Sequence, residues 1–495
     1  MWTNNFKKVF KTPFFYLLLL FIISAKGHLE IIDTEYSLRT ARSIVEDGTM
    51  LIEPVCEENL NHRFEINGAD KIYSQYGVGI LMIFVPIVIV GKFIAYLTSI
   101  NEILITHFFI SFYNIPFAIL GLYHFREILR FLGQNKNISN FLMISMAFGT
   151  IFWKYTVTDF SEITQIALIL GAIHSYLCRK NENRWFKVSF YLGLLILLKI
   201  AYLILLPPFI GLAIYEGWQT QKTKVYLLQG ASFLLPIGLL LMYANWARFG
   251  SVYQSGYGNQ QFAFSLDYLK RDWFDYVFSI DRGILAYSPI LLMTPLFIKR
   301  FLKKDKSLFL LIFFISISIY LLTASWIGWK GGFCWGNRNL VTIVPLLCIS
   351  WAFIDWKNLM HKLTFLILLT LSTFIQLIGV SLKSHEWSVI SREFKDHPDP
   401  YYVPTQLEGS SRLFIEKMSN SSGVYQANIF VKEHHHIIDL QKYESFTGFN
   451  FWLVHLLKYI NFSTHIRFTG NTILIILGSG VCFMLHRFQT SSQKI

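Results

Sequence analysis

The stretch FFYLLLLFIISAKGHLEIIDTEY, residues 14–36, decides how the rest of the chain is read. Phe14 to Ala25 is an unbroken apolar run behind Lys7, Lys8 and Lys11, and just beyond it stand two carboxylates, Asp33 and Glu35. Such a run is a membrane helix whose basic side stays on the cytoplasmic surface. Its end offers only the weak small-residue pair Ser24-Ala25 as a cleavage signal, so an uncleaved first helix is expected. Apolar runs recur at Phe141–Trp153, Ser307–Ala324, Leu363–Leu382 and Thr472–Leu485. Of the 495 residues 53% are hydrophobic, 17% aromatic and only 15% charged, against roughly 25% charged in an ordinary soluble domain. This excludes a conventional soluble enzyme and predicts an all-α polytopic membrane protein.

The formal charge of +13 does not point to nucleic acid, because no basic run interleaved with aromatics stands on a soluble element. Nearly half of the 44 basic residues lie in short stretches between apolar runs: Lys7/Lys8/Lys11, Arg126/Arg130/Lys136, Arg179–Lys187, Lys222/Lys224, Lys299–Lys306, Lys357/Lys362 and Arg487/Lys494. These stretches should face the cytoplasm. They alternate with the other loops only if Val78–Leu97, which carries Pro86, Gly91 and Lys92, lies in or dips into the outer interface rather than crossing. With that assignment about twelve crossings are expected. The outer face then receives residues 27–101, a turn at Asp159, and residues 248–283, 326–338 and 383–466. Three regions follow: a membrane module over 1–382, an extracytoplasmic segment over 383–466 with a strand at Val424–Val431, and a last crossing with its tail over 467–495. Phe449–Ile460 is aromatic and amphipathic, as befits a helix on the membrane surface. The five cysteines are scattered and form no C-x-x-C pair, so neither a disulfide framework nor a metal site is expected.

Candidate chemistry concentrates on the outer loops. Asp33 and Glu35 open a short helix ending at Gly48; a carboxylate there can orient or deprotonate an acceptor, or it can simply cap the helix. Asp159 and Glu162 form a second outer pair, whose D-x-x-E spacing also fits a capping box. Lys199 interrupts the apolar run Val188–Leu206 before Pro207-Pro208, which predicts two short helices with an outward apex at the lysine. Lys71, Arg282 and Arg338 are outer cations able to meet a phosphate, the last in a loop rich in tryptophan and glycine over Trp326–Arg338. Their plainer reading is an aromatic belt with anchoring arginines. His434-His435-His436 lacks the spacing of metal ligands, and the sequons at Asn137, Asn420 and Asn461 carry no assigned function.

In order and sidedness these residues resemble the GT-C superfamily of membrane glycosyltransferases, among them protein O-mannosyltransferases and lipid A aminoarabinose transferases. The likeness rests on Asp33-Thr34-Glu35-Tyr36 to Gly48, on Lys71-Ile72-Tyr73-Ser74-Gln75-Tyr76-Gly77, on Gly149–Trp153 leading to Asp159 and Glu162, and on Lys199 to Pro207. It covers residues 10–220 and extends to Asp281–Pro289 and the Trp326–Arg338 loop. The resemblance implies a GT-C-like helix bundle with interfacial outer helices; residues 383–466 match nothing in it, and a small extracytoplasmic α/β segment near the C-terminus is expected there from the strand pattern alone. It implies inverting sugar transfer from a polyprenyl-phosphate donor to a lipid, glycan or protein acceptor, with Asp33 as catalytic carboxylate. Glu35, Asp159 and Glu162 complete the expected acidic set; Lys71, Lys199, Arg282 and Arg338 are candidates for the donor phosphate. Tyr36, Tyr73, Tyr76, Trp326, Trp329 and Trp335 are the expected sugar or lipid contacts. No cofactor is assigned, and dependence on a divalent metal, Mg or Mn, is left open. A composition heavy in Ile, Lys, Phe and Asn points to an AT-rich bacterial genome, hence an inner-membrane protein with its site in the periplasm. The alternatives are a transporter or lipid flippase built around Lys199, and a ligase or polymerase using pyrophosphate-linked glycans.

Overall fold

Pro13 opens the first helix, Pro13–Ser24, where its fixed φ and missing N–H are harmless. The computed structural model describes residues 12–52, 63–65, 72–257, 264–328, 331–332, 334–384, 386, 405–419, 448–460 and 465–490. Among the described residues seven helical segments are long and apolar enough to cross a membrane: Val78–Thr98, Glu102–Phe131, Ile200–Thr220, Thr223–Phe249, Lys306–Ala324, Leu359–Ser381 and Ile466–Arg487. Other expected crossings are present as shorter apolar helices, including Pro13–Ser24, Glu162–Leu177 and Arg338–Phe353. Proline explains one kind of shortening. Pro289 and Pro295 cast Pro289–Phe297 as a 3-10 helix before the α-helix Ile298–Lys304. The chain is an integral, multi-pass membrane protein, helical apart from one antiparallel strand pair among the described residues, Arg63–Glu65 with Ile72–Ser74.

The bundle has two chemically distinct ends. At one, the basic stretches meet: Arg179 pairs with Asp305 at 3.5 Å, Arg184 with Glu216 at 2.6 Å, and Arg487 donates to the Tyr16 hydroxyl at 3.0 Å. At the other lie Asp33, Asp159 and Arg338. The helix carrying Asp33, Ile32–Asp47, is amphipathic and ends at Gly48 in the left-handed conformation, φ +66°.

Val78–Thr98 runs beside this amphipathic helix. Lys92 reaches Glu46 at 2.6 Å and Glu102 at 3.2 Å, which ties the far ends of the two helices to the start of the next. That next helix, Glu102–Ile110, returns so that His107 sits 3.1 Å from Glu35. One face of Val78–Thr98 remains exposed through Met82, Ile89, Phe93 and Tyr96, as a lipid-facing surface requires.

Within residues 383–466 the described part holds two helices of eight or more residues. Gln406–Ser419 is docked by the Gln406 side chain, which donates to the Cys334 carbonyl at 2.7 Å and accepts from the Gly336 N–H at 2.8 Å. Trp452–Tyr459 is an amphipathic helix with Val454 buried and Leu456 and Tyr459 exposed. The strand expected at Val424–Val431, the triple histidine and the sequons at Asn420 and Asn461 lie outside the described residues.

Candidate active site

Asp33 stands in the first turn of its helix, behind Ile31 as the N-cap, so it is not the cap that its residue type suggests. Its Oδ2 accepts a hydrogen bond from Arg338 Nη1 at 3.0 Å. The two side chains are 22% and 20% exposed, so the pair opens onto solvent or ligand space. Two phenols attend it. Burial and then the Asp33 charge raise the Tyr76 hydroxyl well above its ordinary value, and the same two causes push Tyr257 up to about 12.

Close backbone packing brings Lys199 to this end. Gly77 and Gly79 lie against the main chain of Leu197 and Leu198, where a Cβ at either position would overlap it. The helix Arg184–Leu198 stops there, Lys199 is extended, and a 3-10 turn follows at Ile200–Leu205. Lys199 therefore sits at an apex shared by two clefts. One is lined by Glu162, Gln165, Tyr202, Arg338 and Asn339 beside the lysine. The other is lined by Gln75, Gly77, Asn245, Arg248 and Tyr257. Arg248 is held there by the carbonyls of Ser74 and Tyr76, at 3.1 and 2.9 Å.

Several expected site residues turn out to build the walls. Glu35 lies two positions round the helix from Asp33 and faces Arg39 at 3.0 Å and His107 at 3.1 Å. Burial disfavours its charge, but His107 and Arg39 overcome this and bring it down to about 2. Asp33 and Glu35 therefore diverge, one to an arginine and the other to a histidine, and do not form a two-carboxylate metal site. Among the described residues no group of three or more His, Cys, Asp or Glu could hold an ion.

Asp159 holds the main chain that leads into Asp33. Its carboxylate accepts the N–H groups of Glu30 and Ile31 at 3.2 and 3.1 Å, and its carbonyl accepts the Thr34 hydroxyl at 2.7 Å. It is not a helix cap either, since Ser161 holds that position before Glu162–Leu177. Burial, then the charge of Glu30, pushes Asp159 up to about 8. Glu30 itself is penalised by burial, yet Lys154, Lys26 and a hydrogen bond from Asn450 draw it down to about 2.

Arg282 is a clamp: its Nη1 donates to the carbonyls of Cys334 and Gly336, at 2.8 and 3.3 Å, fixing the loop that presents Arg338. Trp335 is buried, its ring against Gly379 and edge-on to Tyr287 at 5.0 Å. Tyr36 is fully buried with Ile52 and Ile72, and Tyr73 packs edge-on against Phe249 at 6.3 Å. Trp326 bridges to Phe264 at the loop's start. Lys71 and Trp329 lie outside the described residues. Sequence reading passed over Arg248 and Tyr257; an arginine closing the long apolar helix Thr223–Phe249 just before Gly250 was the available signal for the first.

These features define a polytopic helical membrane bundle with a charged, cleft-lined site at one end. Among solved structures the chain is similar to ArnT from Cupriavidus metallidurans bound to undecaprenyl phosphate: TM-score 0.51, 11% identity, over 98% of this chain and 77% of that one. The apo state of the same protein gives 12% identity and a TM-score of 0.47 over the same shares. At these identities the likeness is one of fold. No family model and no curated protein sequence matches the chain.

Proposed function

We propose that the protein is an inverting glycosyltransferase that moves a sugar from a polyprenyl-phosphate donor to an acceptor hydroxyl at the extracytoplasmic membrane surface. The observation that carries this reading is the Asp33–Arg338 pair beside a lysine apex shared by two clefts. A carboxylate next to clustered cations suits a reaction in which a hydroxyl loses a proton while a phosphate leaves. The acceptor oxygen bonds to the anomeric carbon from one face as the bond from that carbon to the phosphate oxygen breaks on the other. The electron pair departs with the polyprenyl phosphate, and the acceptor proton passes to Asp33. Arg338 orients Asp33, while Lys199 and Arg248 receive the phosphate charge. The bound lipid phosphate in the ArnT structure supports this donor class.

The topology belongs to the same proposal. The basic end faces the cytoplasm, and Val78–Thr98 lies with the Asp33 helix in the outer interface. In a bacterial inner membrane the site then opens to the periplasm. The test compares wild type and Asp33→Asn on radiolabelled polyprenyl-phosphate sugars with membrane extract. Transfer by wild type, with donor binding but no transfer by the variant, supports the reading. Equal consumption by both removes Asp33 from the chemistry, and no consumption by either favours the flippase alternative.

A further inference from the structure

Glu162 is 5% exposed, and its Oε2 accepts no hydrogen bond among the described residues. It nevertheless lines the cleft with Lys199, Tyr202 and Arg338. Buried carboxylate oxygens are normally supplied with donors, so one left without a donor beside a cleft marks a place where a ligand can bring it. Lys199 shares this cleft with Glu162, and two of the other neighbouring groups are engaged with partners of their own. Arg338 holds Asp33 at 3.0 Å, and the Gln165 side chain accepts from Tyr202 and donates to Ser161 at 2.9 Å. A phosphodiester has no proton to offer Glu162, whereas sugar hydroxyls do.

Charge narrows the ligand further. Counted as formal charges, the cations Lys199, Arg248 and Arg338 at the two clefts outnumber Asp33, paired with Arg338, and Glu162 by one. The single negative charge of a polyprenyl phosphodiester cancels it. A sugar carrying an ammonium or a carboxylate would leave a charge unmatched in a partly buried site.

Resting on the glycosyltransferase reading, we infer that Glu162 is a sugar-recognition residue that accepts hydrogen bonds from hydroxyls of an uncharged sugar, so the donor class is a neutral hexosyl or pentosyl phosphodiester. Asp33 acts at the reacting hydroxyl, and Glu162 reads the sugar from the neighbouring cleft.

The test is binding of synthetic polyprenyl phosphodiesters to the full-length protein in detergent, read by intrinsic tryptophan fluorescence. The probes carry methyl, neutral hexosyl, amino-hexosyl or uronyl groups on the same lipid. Wild type should bind the hexosyl diester about 10- to 100-fold more tightly than the methyl diester, the range expected for hydrogen bonds to a charged group. It should discriminate against both charged sugars. In Glu162→Gln the hexosyl-to-methyl ratio should fall toward unity. Equal wild-type affinity for methyl and hexosyl diesters, tighter binding of a charged sugar, or an unchanged ratio in the variant would overturn the inference. The wild-type comparisons stand even if the variant misfolds. Hexosyl preference through Glu162 without turnover would sink the transferase reading alone, and turnover without that preference would sink the role of Glu162 alone.

Discussion

The carboxylate of Asp159 accepts the backbone N–H of Ile31 at 3.1 Å, so a residue on one side of the bundle fixes the main chain that presents Asp33 two positions later. The contact joins parts of the chain 128 residues apart, with the Glu30 N–H at 3.2 Å beside it. Asp159 thus governs where the Asp33 helix begins, and the Asp33–Arg338 pair inherits that position.

Asp159→Ala should therefore lower kcat by about 100-fold, the scale expected when a catalytic group is displaced by about an ångström. The KM for donor should change little. Single-turnover kinetics with excess enzyme would separate the two. A purely raised KM would show that Asp159 touches substrate.

Asp159 also carries a pH signature. Its carboxyl is pushed from near 4 to about 8, so the folded state retains a proton that the unfolded state releases. That stability is fully present below pH 4 and is lost as pH rises through 8. Asp159→Asn removes the titration, so the Tm of the variant relative to wild type should rise between pH 4 and 8. The comparison must be differential, because His28, brought down to about 3 by burial and by Lys383, drives absolute stability the opposite way between pH 3 and 6.5. A constant difference in Tm across the range would refute the assignment.

Arg282→Ala should cost about 3 kcal/mol of stability, from losing charge-assisted hydrogen bonds to two loop carbonyls. Thermal unfolding in detergent measures this. Binding of a polyprenyl phosphodiester should survive in the folded fraction, and its loss there would restore Arg282 to the phosphate site.

What the sequence disclosed and what it concealed divide along a physical line. Lys199 was legible as a break because a charge inside the apolar run Val188–Leu206 is costly and basic stretches stand at both ends of that run, and Asp33 because it follows the first apolar run so closely. Glu35 faces Arg39 and His107 rather than Arg338, and helix geometry held the reason: residues two apart do not share a face. Asp159 looked like a local cap, but its donors come from Glu30 and Ile31, a contact made only by tertiary packing. The same holds for Trp335, whose exposure depends on Gly379, far along the chain. Residue type marked the end of the bundle that holds Asp33 and Arg338; which carboxylates stand at its clefts depended on contacts between distant segments.

Lys199→Met should raise the KM for a polyprenyl-phosphate sugar about 10- to 100-fold, whereas Lys199→Arg should retain most of the affinity by preserving the charge. Steady-state kinetics on both variants would decide. Equal loss in the two would point to a role for the lysine in shaping the apex rather than in holding phosphate.

Gly77→Ala tests the packing that assembles the site. The backbone at Gly77 has φ −64°, which any residue can adopt, so its requirement for glycine is one of space. A Cβ there would overlap the carbonyl of Leu198, and the obstruction is main chain, which no rotamer change can relieve. The substitution must push the Tyr76 loop away from Lys199, and transfer should fall by about 100-fold. Because backbone is the obstacle, shortening the neighbour with Leu198→Ala should not rescue Gly77→Ala. Gly211→Ala, at a position with nothing within 4 Å, is the matched control and should leave transfer intact. Rescue by Leu198→Ala would show instead that side chains fill this interface, and the close approach of the two backbones would no longer explain how Lys199 comes to stand beside Asp33.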